Sequence, residues 1–463
     1  MKERYNIKGV YFIGIGGIGM SAIARYFRFL NIEVAGYDRS SSAITLALES
    51  EGCKITFEDD SVTVPPLYKN IAEKDSVLIV YTPAIPKDNS ILSFFRSNGY
   101  ELKKRSEILG EISRHTDTLA VSGTHGKTTV STMLAHILTV SSIGCSAFLG
   151  GISKNYNTNL LTSASRYTVI EADEFDRSFH RLTPSMAIVT AMDADHLDIY
   201  GTQDVMIEAY NEFLEKIRRG GKLVIHEKIR HRARIAEWVD VFSYGLDEGS
   251  DFRAVNIVQE SGTFTFDLVT PEGTIEDIKF PFPGKVNIEN AVAASSVALL
   301  CGVKPDEIRS SLFTFRGVQR RFDIRIDRPG LVYIDDYAHH PEEIRACINS
   351  VREYYAGRKI TGIFQPHLYS RTSDHADGFA QILDTLDEVI LLPIYPAREK
   401  PMPGVSSLMI LERMKNGNKK LLKKSDIPSG LDIAGIDVLL TIGAGDIDRL
   451  VRPIEDELNL RRK

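Results

Sequence analysis

Residues 121–138 read VSGTHGKTTVSTMLAHIL, which predicts the end of a strand, a tight glycine loop and then a helix. A helix begins with unpaired backbone N–H groups and the positive end of its dipole, so a glycine loop before it can hold a phosphate. The usual phosphate loop is spaced G-x-x-x-x-G-K-[ST], whereas Gly123, Gly126 and Lys127 stand closer together here. The stretch therefore predicts an α/β unit that binds a phosphate through a shortened loop.

The side chains after the second glycine are typical of a nucleotide site. Lys127 can reach terminal phosphate oxygens, and Thr128 can bind Mg²⁺ that those oxygens hold. A helix cap with an incidental lysine is the alternative, but a glycine pair followed by Lys-Thr-Thr makes it the weaker one. The candidate residues of this loop are Gly123, Thr124, His125, Gly126, Lys127, Thr128 and Thr129.

The whole chain has 463 residues, more than one hydrophobic core supports, which predicts two or three domains. Lys and Arg number 56 and Asp and Glu 62, a net charge of −6, so no basic excess favours nucleic acid. The four cysteines form no C-x-x-C metal motif, which favours reduced thiols in the cytoplasm. No stretch approaches about 18 uninterrupted apolar residues, and MKERYNIKG does not resemble a signal peptide, so we expect no membrane insertion.

Strands and helices alternate along almost the whole chain, which predicts parallel sheets with helices on both faces. Short alternating stretches between residues 251 and 282, such as GTFTFDLV, predict a small antiparallel appendage. We expect three α/β domains, at residues 1–113, 114–318 and 319–463. The first and last are expected to be Rossmann-like, and the central one to be similar to a P-loop ATPase.

A second glycine loop follows the first predicted strand and fits G-x-G-x-x-G, with Asp38 ending the next strand 19 residues after Gly19. Such glycines let backbone N–H groups approach a diphosphate at a helix N-terminus. A turn without a ligand is the alternative, but strand, helix and acid together favour a diphosphate, whose identity the glycines leave open. The candidate residues are Gly14, Gly16, Gly17, Ile18, Gly19 and Asp38.

Two acidic segments, EADEFD and DADHLDIYG, follow apolar strands downstream of the phosphate loop. They contain Glu171, Asp173, Glu174, Asp176, Asp193, Asp195, His196 and Asp198. Ligands of α/β sheets bind at the carboxyl ends of the strands, and carboxylates suit hard cations, with His196 as an added nitrogen ligand. Charge runs are usually solvated surface, but this placement favours a metal role. The spacing does not decide which carboxylate binds.

The last third carries DDYAHHPEE and FQPHLYSRT, each after an apolar strand. A histidine and Arg371 at strand ends could hold a small carboxylate, because Arg offers two parallel hydrogen bonds. Helix capping is the alternative for the histidines. For His340, which precedes Pro341, capping is about as well supported as function.

Seven segments together resemble the Mur ligases of peptidoglycan synthesis. They are FIGIGGIGMS, SGTHGKTT, EADEFDRSFHRLTP, DADHLDIYG, RRFD, DDYAHHP and FQPHLYSRT. The resemblance covers nearly the whole chain and is strongest to the alanine-adding members. The short loop GTHGKTT is the form that this family uses.

The resemblance implies an ATP-dependent ligase that joins L-alanine to the lactyl carboxylate of UDP-N-acetylmuramate through an acyl phosphate. The first domain would bind the UDP-sugar at Gly14–Gly19 and Asp38, the central domain ATP and Mg²⁺, and the last domain L-alanine. A protein that handles such substrates is expected in the cytoplasm, as a monomer or weak homodimer.

The resemblance also implies roles for single residues. Lys127 would hold the β- and γ-phosphates, and Thr128, Glu171 and His196 would bind magnesium. Asn290 would read adenine, Arg321 and Asp336 would contact ATP, and His339 and Arg371 would meet the amino acid. His196 and His339 are both candidates for the group that takes the amine proton, and the sequence does not choose between them.

The chain departs from the family pattern in two places. ITFEDD stands where relatives have Gly-His, which puts nucleotide contacts near residues 57–60 in doubt, and Leu368 stands where relatives often have Arg or Thr. Three other functions remain open: a recycling ligase that attaches a tripeptide, a dinucleotide-dependent dehydrogenase, and a nucleotide-driven switch. The dehydrogenase gives the phosphate loop no task, and the segment IGIGGIGMS favours the alanine enzyme over the recycling ligase.

Overall fold

A computed structural model describes residues 7–193, 197–260, 262–397, 399–432 and 435–461. Over these residues the strands form three sheets, each with helices between its strands. The chain separates into two compact units. The first contains residues up to 260, 264–281 and 289–316; the second contains residues 262–263, 282–288 and those from 317 onward. The predicted three-part α/β class is confirmed.

The first sheet has five parallel strands in the order β3-β2-β1-β4-β5. Its strands are β1 (Gly9–Ile13), β2 (Glu33–Tyr37), β3 (Lys54–Thr56), β4 (Val77–Tyr81) and β5 (Leu102–Lys104). Its helices are α1 (Ile18–Phe29), α2 (Ala43–Ser50), α3 (Pro66–Lys69), α4 (Ser90–Ser97) and α5 (Arg105–Arg114). The strand order reverses at β1, so the glycine loop after β1 lies at the switch point where such sheets bind ligands.

The second sheet has ten strands in the order β15-β14-β13-β12-β11-β10-β6-β9-β7-β8. They are β6 (Asp117–Ser122), β7 (Ser146–Ser153), β8 (Thr158–Leu161), β9 (Tyr167–Glu171), β10 (Met186–Val189), β11 (Lys222–His226), β12 (Asp240–Gly245), β13 (Phe252–Glu260), β14 (Thr263–Thr270) and β15 (Gly273–Phe280). The helices that follow in the chain are α6 (Lys127–Val140), α7 (Leu197–Tyr200), α8 (Gln203–Leu214), α9 (Lys285–Leu300) and α10 (Pro305–Thr314). Strands β9, β6, β10 and β11 run parallel, so their carboxyl ends share one edge.

The antiparallel appendage predicted between residues 251 and 282 is the hairpin of β14 and β15. It is continuous with the second sheet, because β13 pairs in parallel with β12. Alternating burial along β14 shows why the sequence alternates: one face packs inward and the other meets solvent.

The third sheet has six strands in the order β16-β17-β21-β18-β19-β20, with only the β16–β17 pair antiparallel among the described strands. They are β16 (Asp323–Arg328), β17 (Leu331–Asp336), β18 (Ile360–Phe364), β19 (Glu388–Leu391), β20 (Lys419–Leu421) and β21 (Val438–Ile442). The helices are α11 (Pro341–Tyr354), α12 (Tyr369–Asp374), α13 (Ala376–Leu383), α14 (Ser407–Arg413) and α15 (Asp448–Arg461). Short 3₁₀ turns lie at Ser61–Thr63, Ile71–Ser76, Phe175–Arg181, Glu227–Arg232 and Lys424–Asp426.

Helix α1 of the first sheet packs against β7 and β8 of the second. The buried Asn159 amide donates to the Ile18 carbonyl at 2.5 Å and to Ser21 Oγ at 2.9 Å, and its oxygen accepts from Arg25. The rings of Tyr26 and Phe148 meet edge to face at 5.4 Å. A shared core therefore holds the two glycine loops within one unit.

Among the described residues, no helix combines the length and apolar character needed to cross a bilayer. The four cysteines are buried and free of disulfides.

Candidate active site

The phosphate loop joins β6 to α6 and depends on its glycines. Gly123 has φ +132°, and a Cβ there would lie 2.0 Å from Thr190 Oγ1 on the neighbouring strand tip. Gly126 is left-handed at φ +81° and forms the N-cap of α6. A side chain would be strained at both positions, so the close turn that aims the α6 backbone N–H groups outward requires glycine.

Lys127 is enclosed by the loop and by a buried acid. Its Nζ donates to the Gly123 carbonyl at 2.7 Å and to Glu174 Oε1 at 2.8 Å, with the Thr124 carbonyl at 3.5 Å. The Glu174 side chain is 0% exposed, against 14% for Lys127. Burial alone would lower the pKa of Lys127, but the carboxylates of Glu174, Asp173 and Glu171 hold it above its usual value. Burial raises the pKa of Glu174, and Lys127 opposes that rise. The ammonium is therefore charged at the mouth of the loop.

Two of the three predicted magnesium ligands touch each other. Thr128 Oγ1 donates to Glu171 Oε1 at 3.0 Å, while Ser131 Oγ and the Gly150 N–H donate to Oε2 at 3.3 and 3.1 Å. The Glu171 carboxylate is thus held at the end of β9, over the start of α6. A hydroxyl and a carboxylate are oxygen ligands of the kind that Mg²⁺ prefers, so the pair fits that ion.

The third predicted ligand, His196, lies outside the described residues, as does Asp195. Within the described part of the chain, no group of three or more His, Cys, Asp or Glu side chains has metal-binding geometry. Asp193, the first acid of DADHLDIYG, contacts the phosphate loop. Its N–H donates to Thr124 Oγ1 at 3.1 Å, and its Oδ2 lies 3.8 Å from His125 Nε2.

Asn290 of α9 lies beside the second glycine of the loop. A Cβ on Gly126 would be 3.0 Å from Asn290 Oδ1, and the Asn290 side chain is largely buried. The structure thus brings Asn290 together with the phosphate loop, although 163 residues separate it from Lys127 in sequence. Thr129 follows in the first turn of α6.

The glycine loop of the first sheet is closed by Asp38. The Gly16 N–H donates to Asp38 Oδ2 at 2.8 Å, and the Gly14 N–H donates to the Tyr37 carbonyl at 2.7 Å. Gly14 has φ +89°, Gly17 is the N-cap of α1, and Ile18 and Gly19 begin that helix. The predicted residues therefore form one loop whose shape the acid maintains. In ITFEDD, the segment that differs from the family pattern, Asp59 accepts the Ser90 N–H at the start of α4 at 2.9 Å.

Sequence reasoning missed Arg105, the first residue of α5. A Cβ on Gly19 would lie 2.1 Å from Arg105 Nη1, so the guanidinium packs on the glycine loop. Its Nη2 also reaches Asp173 Oδ2 at 3.3 Å, which connects the glycine loop to the acidic strand tip. Arg105 lies in the polar stretch KKRSEILGEISRH, directly after the short strand β5. This position at a strand end is the one signal by which the sequence could have identified it.

In the second unit, Asp336 organises the turn that follows β17. Its carboxylate accepts the N–H groups of Phe322 and Ala338, both at 2.7 Å. Burial raises its pKa, while Arg321 and these two N–H groups oppose the rise. The Arg321 guanidinium lies over the Tyr337 ring, with Cζ 5.0 Å from the centroid. Arg321, which precedes β16, therefore lies beside Asp336 at the end of β17.

His339 and Arg371 lie on either side of His367. The rings of His339 and His367 are 6.1 Å apart, and His367 Nδ1 is 3.4 Å from an Arg371 Nη1. Burial lowers the pKa of His339, despite Glu343 at 3.3 Å, so its imidazole is neutral near pH 7. His367 is the histidine of FQPHLYSRT, the segment in which the sequence indicates that a histidine and Arg371 could hold a small carboxylate.

Two nearby residues, Leu368 and His340, are the N-caps of helices. Leu368 has φ +70° and is the N-cap of α12, so its backbone shapes the turn that leads into this helix. His340 is the N-cap of α11 and accepts the Glu342 N–H at 3.4 Å. This contact is the helix-capping role that the sequence offered as the alternative for His340.

Three family models match successive parts of the chain. The Mur ligase family catalytic domain matches residues 9–116, the Mur ligase middle domain residues 121–298, and the Mur ligase glutamate ligase domain residues 320–445. The chain belongs to the Mur ligase family. The resemblance seen in the seven sequence segments is confirmed.

Relatives of this Mur ligase include a UDP-N-acetylmuramate–L-alanine ligase from Parabacteroides distasonis, 50% identical over 98% of this chain and 97% of that protein. The crystal structure of the UDP-N-acetylmuramate-alanine ligase MurC from Thermotoga maritima is 25% identical with a TM-score of 0.82, covering 98% of this chain and 100% of that one. A murein peptide ligase from Psychrobacter arcticus is 21% identical with a TM-score of 0.69, covering 98% and 99%, and this shows a shared fold.

Proposed function

We propose that this Mur ligase is an ATP-dependent UDP-N-acetylmuramate–L-alanine ligase that releases ADP and works in peptidoglycan precursor synthesis. The observation that carries the proposal is the 50% identity, over nearly the whole of both chains, to the Parabacteroides relative of that name. The alternative of a recycling ligase has the weaker support of a fold-level likeness to a murein peptide ligase.

The phosphate loop supports the first half of the reaction, transfer of a phosphoryl group from ATP to the lactyl carboxylate. Lys127 supplies a desolvated positive charge, which stabilises developing negative charge more strongly than it would in water. Thr128 and Glu171 would hold Mg²⁺, with His196 as the proposed third ligand. When bound, the ion would neutralise charge on the phosphate oxygens. Asn290, which lies beside Gly126 of the loop, is the proposed contact of the adenine.

The glycine loop of the first sheet supports binding of the UDP-sugar. The α1 N-terminus and the loop N–H groups would receive the diphosphate, and Asp38 maintains the shape of the loop by accepting the Gly16 N–H. Arg105 adds a positive charge beside Gly19.

The cluster around His367 supports the second half, attack of the alanine amine on the acyl phosphate. Arg371 would hold the alanine carboxylate by two parallel hydrogen bonds. His339, neutral because it is buried, can accept the proton that the amine loses. Arg321 and Asp336 are the proposed ATP contacts of this unit. The proposed domains are residues 1–113 for the sugar nucleotide, 114–318 for ATP and 319–463 for the amino acid.

The test is ADP release from purified protein with UDP-N-acetylmuramate and each amino acid in turn. We expect ADP only when the sugar nucleotide and L-alanine are both present, and a product heavier by one alanine residue in mass spectrometry. A parallel reaction with the tripeptide separates the recycling ligase. ADP release that depends on neither substrate would identify a nucleotide-driven switch, and binding of NAD(H) would support the dehydrogenase. We further propose a cytoplasmic monomer or weak homodimer.

A further inference from the structure

The Lys127 ammonium already uses all its donors within the protein. An ammonium has three N–H donors, and three acceptors surround Nζ: the Gly123 carbonyl at 2.7 Å, Glu174 Oε1 at 2.8 Å and the Thr124 carbonyl at 3.5 Å. Only the last of these contacts is long enough to be weak. A phosphate oxygen that binds Lys127 must therefore replace an existing partner.

The proposed function requires Lys127 to meet two phosphates, the β and the γ. The Gly123 carbonyl is the first backbone group of the loop and stays beside Nζ as long as the loop keeps its shape. The two donors that can be exchanged are then those directed at Thr124 and Glu174. Binding two phosphate oxygens thus costs the bond to Glu174.

We propose that Glu174 is an exchange partner for Lys127: it neutralises the ammonium in the empty loop and is released when the β- and γ-phosphates bind. Glu174 is accordingly a positioning residue that sets the affinity for ATP and ADP. This inference rests on the proposed function.

The burial of Glu174 makes the exchange costly. Glu174 is 0% exposed, so water cannot solvate its carboxylate once Lys127 turns away, and an uncompensated buried charge is strongly unfavourable. In the empty loop the same pair is favourable, since it prevents a buried ammonium from standing alone. A neutral residue of the same shape should therefore strengthen binding of nucleotides that carry a β-phosphate.

The test is calorimetric titration of Glu174→Gln and the wild type with ATP, ADP and AMP, with Mg²⁺ present and without sugar nucleotide or alanine. We expect the Kd for ATP and ADP to fall roughly three- to tenfold in Glu174→Gln. The Kd for AMP should stay within a factor of two, because AMP has no β-phosphate to meet Lys127. A purely structural role of Glu174 would shift all three nucleotides together.

Three further variants make the test specific. In a Lys127→Ala background, Glu174→Gln should give no gain, because the exchanged partner is gone. Glu174→Asp withdraws the carboxylate by one methylene and should lower the Kd for ATP and ADP by a smaller factor. This variant tests the proposal if Glu174→Gln does not fold. Glu212→Gln on α8, which removes the same charge beside His180, is the matched control and should change nothing.

An unchanged or raised Kd for ATP in folded Glu174→Gln and Glu174→Asp would overturn the proposal, as would a gain that persists without Lys127. An equal shift for ATP and AMP would overturn it as well. If the wild type does not bind ATP at all, the proposed function fails instead, and that result is independent of the variants.

Discussion

Replacing Gly150 by alanine is expected to raise the Mg²⁺ requirement of ligation without unfolding the protein. Gly150 lies on β7, next to β9, and a Cβ there would lie 2.2 Å from Glu171 Oε1 and 2.3 Å from Oε2. The backbone at Gly150 is not left-handed, so alanine fits its conformation and meets only the carboxylate. The substitution therefore displaces one proposed metal ligand and little else.

The size of the effect follows from the contacts of Glu171. Ordinary Cβ contacts begin at 3.4 Å, so the carboxylate must retreat by about 1.2 Å, the difference between 3.4 and 2.2 Å. This retreat breaks the bonds from Thr128, Ser131 and the residue 150 N–H. Losing the contacts that orient a metal-bound carboxylate typically weakens metal binding about ten- to a hundredfold, so the half-saturating Mg²⁺ concentration should rise by about that factor. The end of a glutamate side chain can turn toward solvent and exchange these hydrogen bonds for bonds to water, so stability should fall by only about 1 kcal/mol.

The assay is ADP release at fixed, saturating ATP, UDP-N-acetylmuramate and alanine, with Mg²⁺ varied. Gly249→Ala is the matched control, because a Cβ there meets nothing within 4 Å and the backbone is again not left-handed. Circular dichroism melting checks that both variants are folded. A half-saturating Mg²⁺ concentration in Gly150→Ala within a factor of two of the wild type would refute the placement of Glu171 in the metal site.

Three other substitutions test the remaining parts of the site and the core. In Gly16→Val the Cβ would lie 2.8 Å from Thr45 Cγ2 and 2.9 Å from Asp38 Oδ2, which disturbs the glycine loop. The KM for UDP-N-acetylmuramate should therefore rise at least about tenfold. A rise in the ATP KM alone would mean that this loop binds another ligand. Arg371→Lys should raise the alanine KM about ten- to a hundredfold, since an ammonium cannot match two carboxylate oxygens; a change within a factor of two would assign that carboxylate to another group. Burial lowers the pKa of His136 from its ordinary 6.5 to about 4, so the unfolded state binds more protons between those values and stability falls as the pH drops, by up to about 3 kcal/mol. His136→Gln should flatten this loss in urea unfolding at pH 7 and pH 5, and equal losses in both proteins would contradict the assignment.

Much of the fold could be predicted because its signals are local. Strands β1, β18 and β21 are mostly apolar, and the structure buries them on both faces as parallel strands require. Both glycine loops stand between a strand and a helix, and a short turn with positive φ can be recognised from a few neighbouring residues. The hairpin of β14 and β15 was predicted from its alternation, but its continuity with the second sheet was not, because pairing partners lie far apart in sequence.

The sequence by itself determined the α/β class, the two glycine loops, and the segment EADEFD as an acidic strand end. Apart from the family resemblance, which assigned only Glu171, it could not give separate roles to the three acids at positions 171, 173 and 174, because their spacing does not show which way each side chain points. The structure separates them: Glu171 faces Thr128, Asp173 faces Arg105, and Glu174 pairs with Lys127. The physical reason is that β9 ends at Glu171 and a 3₁₀ turn begins at Phe175, so successive side chains point in different directions. Each then finds a partner 43, 68 or 47 residues away, and only tertiary packing can choose among such distant partners.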